Sequence, residues 1–154
     1  MYNFLLTVHS INRWLVLLTG LIVIFKSLSG WKSNRLYTKG DGAVHGAFVG
    51  FTHLQFLTGI LLYFVFSPIT EQIFADFGAA MKNSSLRFWA VEHTLGMFIG
   101  TVLVQLGRTF SKKAPTDNLK FKRAFVYSLI ALIIILLSIP FGIINPETRP
   151  LFRF

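Results

Sequence analysis

The chain has 154 residues, of which 53% are hydrophobic, 16% aromatic and only 14% charged. With a mean hydropathy of +0.61, it is not an ordinary soluble domain, in which about 25% of residues are charged. The absence of cysteine excludes thiolate metal sites, iron–sulfur clusters and disulfides. The net charge of +9 comes from basic residues that flank apolar runs, so no nucleic-acid partner is expected.

Four apolar segments predict membrane-spanning helices, at about residues 4–26, 43–66, 87–107 and 122–142. Each is close to the ~20 residues with which a helix crosses ~30 Å of hydrocarbon. Pro140 stands near the end of the fourth segment. The period-2 alternation of barrel strands is absent. The predicted fold is therefore all-α, an integral membrane four-helix bundle that forms a single domain.

The basic residues predict the orientation of this bundle. Most of them lie in the connections between spans one and two and between spans three and four: Lys26, Lys32, Arg35, Lys39, Arg108, Lys112, Lys113, Lys120, Lys122 and Arg123. The other side carries only Lys82, Arg87, Arg149 and Arg153. The positive-inside rule then places both termini and the middle loop outside the cytoplasm, N-out and C-out. Membrane lipid is the expected partner of the basic residues.

The loop between spans two and three contains apolar residues at four-residue spacing, namely Ile69, Ile73, Phe77 and Met81. This spacing predicts a short amphipathic helix that lies on the outer membrane interface. A plain connector is the alternative.

Polar side chains within the apolar segments are the candidates for function, because they are costly there unless they are paired or bind a ligand. They are His9, Arg13, His53, Gln55, Glu92, His93 and Gln105. Residue counting from the flanking charges places His9 and His93 at similar depth, toward the outer side. The same count places His53 near the middle, level with Met97. His45 is expected at the inner headgroups, in a structural or solvated role.

A flat macrocycle that stands between helices takes axial ligands at similar depth. The depth match makes His9 with His93 the first candidate pair. His53 with His93 is the second, and His53 with Met97 the third. Arg13 shares a helix face with His9, as Met97 does with His93.

Glu92 is the only carboxylate within these segments. It lies about 100° around the helix from His93, so we expect it to pair with Arg13 rather than to share the ligand position. Such a buried pair would neutralise two costly charges.

Two GxxxG motifs, Gly46 with Gly50 and Gly96 with Gly100, would let a neighbouring helix or a flat cofactor approach closely. The motif is common in membrane helices, which favours helix packing as its role.

Three histidines on three spans favour a metal or haem site over separate interhelical hydrogen bonds. Neutral imidazoles without cysteine or a carboxylate cluster suit haem iron, with copper second. Hydrolytic zinc fits poorly, since no HExxH spacing occurs.

The same residues belong to a longer pattern. It comprises His9-Ser10 with Arg13, His53-Leu54-Gln55 followed by Gly59 and Tyr63, Met81-Lys82-Asn83 before Arg87-Phe88, Glu92-His93 with Met97, Lys113 with Asp117, and Ile139-Pro140. Over nearly its whole length the chain resembles a bacterial family of small four-helix membrane proteins labelled cytochrome B-like. The resemblance implies a b-type haem protein of the bacterial cytoplasmic (inner) membrane. Phe141 stands where that pattern has Trp.

The chain does not resemble the cytochrome b of quinol–cytochrome c reductases, which carries two histidines on each of two helices to hold two haems. One haem b at most is therefore expected, with a quinone as a further candidate ligand.

The first functional hypothesis is a membrane b-type haem protein that carries single electrons in a respiratory or quinol-linked chain. His9 and His93 would be the axial ligands, with His53 as the substitute. Arg13 would neutralise a propionate, while Gln55 and Tyr63 would orient a histidine or a quinone. The partners would be respiratory or redox membrane proteins, and we expect an electron carrier or subunit rather than a stand-alone enzyme.

Two other hypotheses are open. One is a non-catalytic membrane subunit of a larger complex, whose polar residues form an interhelical network. The other is a proton or ion pathway that uses Glu92, His53 and Arg13.

Overall fold

The computed structural model describes residues 1–141, which fold into seven α-helices and two π-helical segments and contain no β-strand. In chain order these elements are α1 (Tyr2–Lys32), α2 (Lys39–Leu61), the first π segment (Leu62–Phe66), α3 (Pro68–Ala75), α4 (Phe77–Lys82), α5 (Ser84–Arg87), the second π segment (Phe88–Glu92), α6 (His93–Lys112) and α7 (Asp117–Ser138).

Four stretches are long and apolar enough to span a membrane, which confirms the prediction of four long apolar helices. They are Tyr2–Lys32, Lys39–Phe66, Ser84–Lys112 and Asp117–Ser138. The first runs past the predicted end at residue 26, because lysine is a good helix former and its charge does not end a helix. The fourth ends before Pro140, and its predicted end at residue 142 lies outside the described residues.

The four long helices pack side by side around a common core. Helix α1 contacts α2 and α7, and α6 contacts the same two neighbours. Phe48, Val104 and Ala131, from three of these helices, are at most 1% exposed. We call the end of the bundle that holds Lys32 and Lys112 the basic end, and the opposite end the cavity end.

Glycines set the distance between α6 and α7. A Cβ on Gly100 would lie 2.7 Å from Cγ1 of Ile135, and one on Gly107 would lie 2.6 Å from Cβ of Tyr127. Both contacts are closer than real Cβ atoms approach, so only glycine allows this packing.

The two GxxxG motifs have different surroundings. Gly96 and Gly100 face Ser138 and Ile135 of α7, so this motif serves helix packing. Nothing lies within 4 Å of a Cβ built on Gly50, and Gly46 instead faces the side chain of Arg108. The expectation of close helix packing at this second motif was wrong.

The turn at the basic end is fixed by one carboxylate. Asn34 adopts a left-handed conformation, with φ of 52°, one residue after the C-cap of α1. Asp41 then accepts two hydrogen bonds of 2.7 Å from Arg35 and forms a capping box with Thr38. Lys26 adds an ion pair at 3.5 Å. The hydrogen bond to Asp41 raises the pKa of Arg35 above its ordinary value.

The loop at the cavity end contains short helices, as predicted, but not a single one. Asp76 has φ of −148° and ψ of 87°, and its carboxylate caps α4 by accepting from the N–H of Ala79 at 2.9 Å. The apolar stripe is therefore broken at Asp76. Ile73 is fully buried while Phe77 is 52% exposed, so the two residues do not share one buried face.

The two GxxxG motifs provide a matched test of packing. We expect Gly100→Ala to lower the free energy of unfolding by ~1–3 kcal/mol, because the new Cβ overlaps Ile135. Gly50→Ala should instead raise it by ~0.5–1 kcal/mol, because alanine favours the helix and its Cβ meets open space. Unfolding of both variants in detergent micelles, followed by far-UV circular dichroism, measures the difference. Equal stability of the two variants would contradict the packing described above.

Candidate functional site

A cavity of about 530 Å³ opens at the cavity end of the bundle. Its lining comes from α1, α2, α6 and α7, from both π segments, and from residues 67, 69 and 70 at the start of α3. Most of its lining is apolar, with a few polar side chains from facing helices. This combination and a volume within about 300–1,000 Å³ are typical of cofactor and ligand pockets.

Two histidines from separate helices meet at this cavity. His9 of α1 and His93 of α6 both line it, and their ring centroids are 6.4 Å apart with an interplanar angle of 60°. These are the two residues that the depth count placed at one level. Their role as ligands stays a prediction, whereas their contact is a property of the fold.

The hydrogen bonds of the two rings define which nitrogen of each carries the proton. Nδ1 of His93 lies 2.8 Å from the carbonyl oxygen of Ser138, which can only accept, so this Nδ1 is the protonated nitrogen. Nδ1 of His9 lies 3.1 Å from the hydroxyl of Thr58. That hydroxyl already donates to backbone carbonyls of its own helix, at 2.9 and 3.0 Å, so it accepts from His9.

Both rings therefore keep the lone pair on Nε2. Neither Nε2 makes a hydrogen bond to any of the described residues. A histidine that donates Nδ1–H to a neighbour and offers Nε2 is the usual arrangement of a metal ligand, because the neighbour fixes both the tautomer and the ring orientation.

The separation of the rings can be compared with that of two axial ligands. Metal–imidazole bonds are about 2.0–2.1 Å long, and the centre of a five-membered ring with bonds near 1.33 Å lies about 1.1 Å from each atom. Two rings on opposite sides of one metal ion would then have centroids at most about 6.4 Å apart. The observed 6.4 Å does not exceed this limit, and the assignment of the two rings as axial ligands stays a prediction.

A polar cluster fixes α1 against α2 beside His9. Asn12 is 3% exposed, and its amide donates to the carbonyl of Phe51 at 2.9 Å and to Oε1 of Gln55 at 2.8 Å. Gln55 in turn donates to the backbone carbonyl of His9 at 3.0 Å. Gln55 therefore holds the backbone that carries His9, and its expected role of orienting a histidine or a quinone stays a prediction.

His93 is the first residue after the second π segment. A π segment has an extra residue in its turn compared with an α-helix, so it changes which side chains of the following helix point inward. Such segments occur often at functional sites. Phe88 and Trp89 of that segment pack on the His93 ring, with centroids 5.9 and 5.2 Å away. The hydroxyl of Tyr63, in the first π segment, donates to the carbonyl of Ala90 at 3.0 Å, so the two segments are joined.

The pairing predicted for Glu92 is wrong. Its carboxylate accepts from Nε of Arg87 at 3.0 Å, and both side chains are more than 40% exposed. Arg87 precedes Glu92 by five residues, the separation that a π turn brings together. Arg13 lines the cavity, with its guanidinium 5.5 and 5.7 Å from the rings of Trp14 and Phe141. Met97 also lines the cavity.

The remaining two histidines lie elsewhere. His53 is exposed and does not line the cavity, because Thr52 and Gln55 occupy the inward face of that turn of α2. The structure therefore does not bring His53 to His93 or to Met97. His45 is 1% exposed, and neither ring nitrogen has a partner among residues 1–141. Of the two roles expected for His45, burial excludes the solvated one and leaves the structural one.

Three functional positions were not found from the sequence. Asn12 could have been found, since it is an amide within an apolar segment. Thr58 is a weak signal, because threonines in membrane helices commonly bond their own backbone. The partner of His93 is the backbone carbonyl of Ser138, which side-chain identity does not reveal.

Part of the cavity lining, on α2, α6 and the two π segments, consists of exposed apolar side chains. Five apolar residues both line the cavity and are exposed on the bundle surface, and we call them the side window: Ile60, Phe64, Val91, Leu95 and Phe98. The rings of Phe56 on α2 and Phe98 on α6 meet with centroids 5.9 Å apart. These exposed side chains make the side window the place where we look for lateral access to the cavity.

Within the described part of the chain, no group of three or more His, Cys, Asp or Glu side chains could hold a metal ion. A closed zinc site would need such a group, whereas a haem takes no more than two axial ligands. Comparisons with protein-family models, curated proteins and solved structures found no match.

The polar cluster generates a stability prediction. We expect Asn12→Leu to lower the free energy of unfolding by about 1 kcal/mol, within the range of interhelical hydrogen bonds in membranes, because it removes both bonds to α2. Thr19→Val on the same helix is the control, since the Thr19 hydroxyl bonds only carbonyls of its own helix. Denaturant titration in micelles compares the two. A loss no larger than that of the control would show that the cluster does not hold α1.

Proposed function

We propose that this chain is a b-type haem protein of the bacterial cytoplasmic membrane and that it carries single electrons. The observation that carries the proposal is the pair His9 and His93, which both line the cavity with rings 6.4 Å apart. Nδ1 of each ring is held by a neighbour, and Nε2 of each makes no hydrogen bond to a described residue. The apolar lining and the cavity volume support it.

Membrane insertion is part of this proposal. Four helices of sufficient length and apolar composition support it. So does the outward face of the bundle, where large apolar side chains such as Phe25, Leu18 and Leu137 are about half or more exposed. We propose the orientation with both termini outside the cytoplasm, since the basic end would then face the cytoplasm.

Each residue of the cavity has a separate role in the proposed haem site. His9 and His93 would supply the two axial nitrogens, and Thr58 and the Ser138 carbonyl hold their tautomers. Arg13 lines the cavity and would lower the cost of placing a propionate there. A bound haem iron would supply a one-electron redox couple. The apolar lining keeps water from the site, which favours exchange of electrons over reaction with solvent.

The side window supports a lipid-soluble redox partner. Leu95 and Phe98 are 53% and 51% exposed where they border the cavity, so a molecule dissolved in the bilayer could reach the site without passing through water. We propose a quinol as this partner, which assigns the chain to a quinol-linked respiratory chain, and redox membrane proteins as acceptors.

A second candidate function is that of a non-catalytic subunit of a larger membrane complex. The Asn12–Gln55 cluster favours it, since this is an interhelical polar network of the kind that such a subunit would contain. An ion pathway has less support, because Glu92 pairs with Arg87 at the surface and His53 is exposed, away from the cavity.

Loss of pigment separates the two candidates. The purified chain, loaded with haem, should show a Soret band that shifts on reduction with dithionite. His9→Ala and His93→Ala should each abolish the band, while His53→Ala, which removes an exposed histidine outside the cavity, should keep it. A pyridine haemochrome assay quantifies the haem. Unpigmented wild-type protein would refute the haem, and retention of the low-spin spectrum in His9→Ala or His93→Ala would refute the assigned ligands.

The window generates a kinetic prediction. Leu95→Trp places a larger side chain at the opening, so reduction of the pigment by a short-chain quinol should slow several-fold while reduction by dithionite is unchanged. Leu136→Trp is the control, because Leu136 is 42% exposed on α7 and does not line the cavity. Stopped-flow absorbance measures both rates. Equal quinol rates in the two variants would exclude entry through the side window.

A further inference from the structure

The basic end of the bundle holds a cation without a described counter-ion. Arg108, in the last turns of α6, is half-buried. Among residues 1–141 it makes no hydrogen bond and no ion pair, although Asp41 and Asp117 lie at the same end. Those two carboxylates are already engaged, with Arg35 and Lys120. The guanidinium of Arg108 therefore keeps its charge-assisted donors available to an anion.

The guanidinium lies along a bare face of α2. A Cβ on Gly42 would come within 3.5 Å of Nη1, and one on Gly46 within 3.4 Å of Nη2. The two glycines are one helical turn apart, so the planar group lies against backbone where other residues would present side chains. The planar fork of N–H groups on a guanidinium matches a bidentate acceptor such as phosphate.

A second donor converges on the same place. A Cβ built on Gly42 would lie 4.0 Å from the hydroxyl oxygen of Tyr37 and 3.5 Å from Nη1 of Arg108. The Tyr37 ring is fixed by Phe121, with centroids 4.9 Å apart. This hydroxyl makes no hydrogen bond to a described residue. Two donors without acceptors therefore face one small volume.

The surroundings have the charge that an anion requires. The connections at this end carry ten basic residues and only two acidic ones, Asp41 and Asp117. In the proposed orientation this end lies at the cytoplasmic headgroup layer, whose lipids are the nearest abundant anions. Zwitterionic lipids also carry a phosphate, but their own cation would meet this excess of positive charge.

We propose that Arg108 and Tyr37 bind the phosphate group of an anionic phospholipid, against the glycine face of α2. The guanidinium donates two N–H groups to phosphate oxygens, and the Tyr37 hydroxyl donates to one of them. The acyl chains then lie along the apolar surface between α2 and α6. The site is at the opposite end from the histidine pair and requires no haem.

Native mass spectrometry of the full chain, titrated with dioleoylphosphatidylglycerol, tests the site. We expect Arg108→Gln to raise the dissociation constant about tenfold or more, since it removes charge-assisted hydrogen bonds. Tyr37→Phe should raise it about threefold through the loss of one neutral hydrogen bond. Lys112→Gln is the matched control, because it removes one exposed charge at the same end and should change the constant less than about twofold.

Each other outcome overturns the proposal. Equal losses in Arg108→Gln and Lys112→Gln would mean diffuse attraction to a basic surface. Equal binding of dioleoylphosphatidylcholine would remove the preference for an anionic lipid. Full competition by inorganic phosphate would identify a free anion rather than a headgroup. If Arg108→Gln does not fold by circular dichroism, Tyr37→Phe decides alone, and an unchanged constant in that variant refutes the site.

Discussion

His9 hydrogen-bonds to Thr58 and His93 to Ser138, each through Nδ1. These two bonds determine which nitrogen of each ring keeps a lone pair for a ligand. Each bond holds Nδ1, so each ring is fixed in one tautomer and turns its basic nitrogen away from the partner helix. Without these bonds each ring could rotate and exchange its proton between Nδ1 and Nε2. The 6.4 Å separation of the centroids would then not determine which nitrogen of each ring could bind a ligand. The rest of the cavity end, from Asn12 to the π segments, supports the helices that carry these two bonds.

The two π segments lie where the bundle opens its cavity. Regular helices of this length would close on each other, as α6 and α7 do at Gly100 and Gly107. Near the cavity end the chain instead forms the two wider π segments, one after α2 and one before α6. The hydroxyl of Tyr63 in the first segment donates to the carbonyl of Ala90 in the second, and thereby provides a donor for this backbone acceptor.

Sequence analysis succeeded for properties that depend only on position along a helix axis. Apolar length identified the four long helices, and residue counting placed His9 and His93 at one level. It failed where rotation about a helix mattered: His53 has a plausible depth but points outward, and Glu92 turns to Arg87 because a π turn shifts its face. Depth follows from counting residues, whereas rotation depends on packing between helices. The glycine contacts and the backbone acceptor at Ser138 are also tertiary properties, which no local pattern encodes.

The contacts between helices also differ in kind around the bundle. Gly30 against Phe121 and Gly100 against Ile135 are backbone-level contacts, whereas α2 and α6 meet near the cavity through the rings of Phe56 and Phe98. A glycine contact opens only if whole helices separate, on a scale of microseconds to milliseconds. An aromatic pair parts by rotamer changes, which at exposed positions take picoseconds to nanoseconds. A ligand that enters between α2 and α6 would therefore need only rotamer changes of Phe56 and Phe98. The helices that carry His9 and His93 would not have to move.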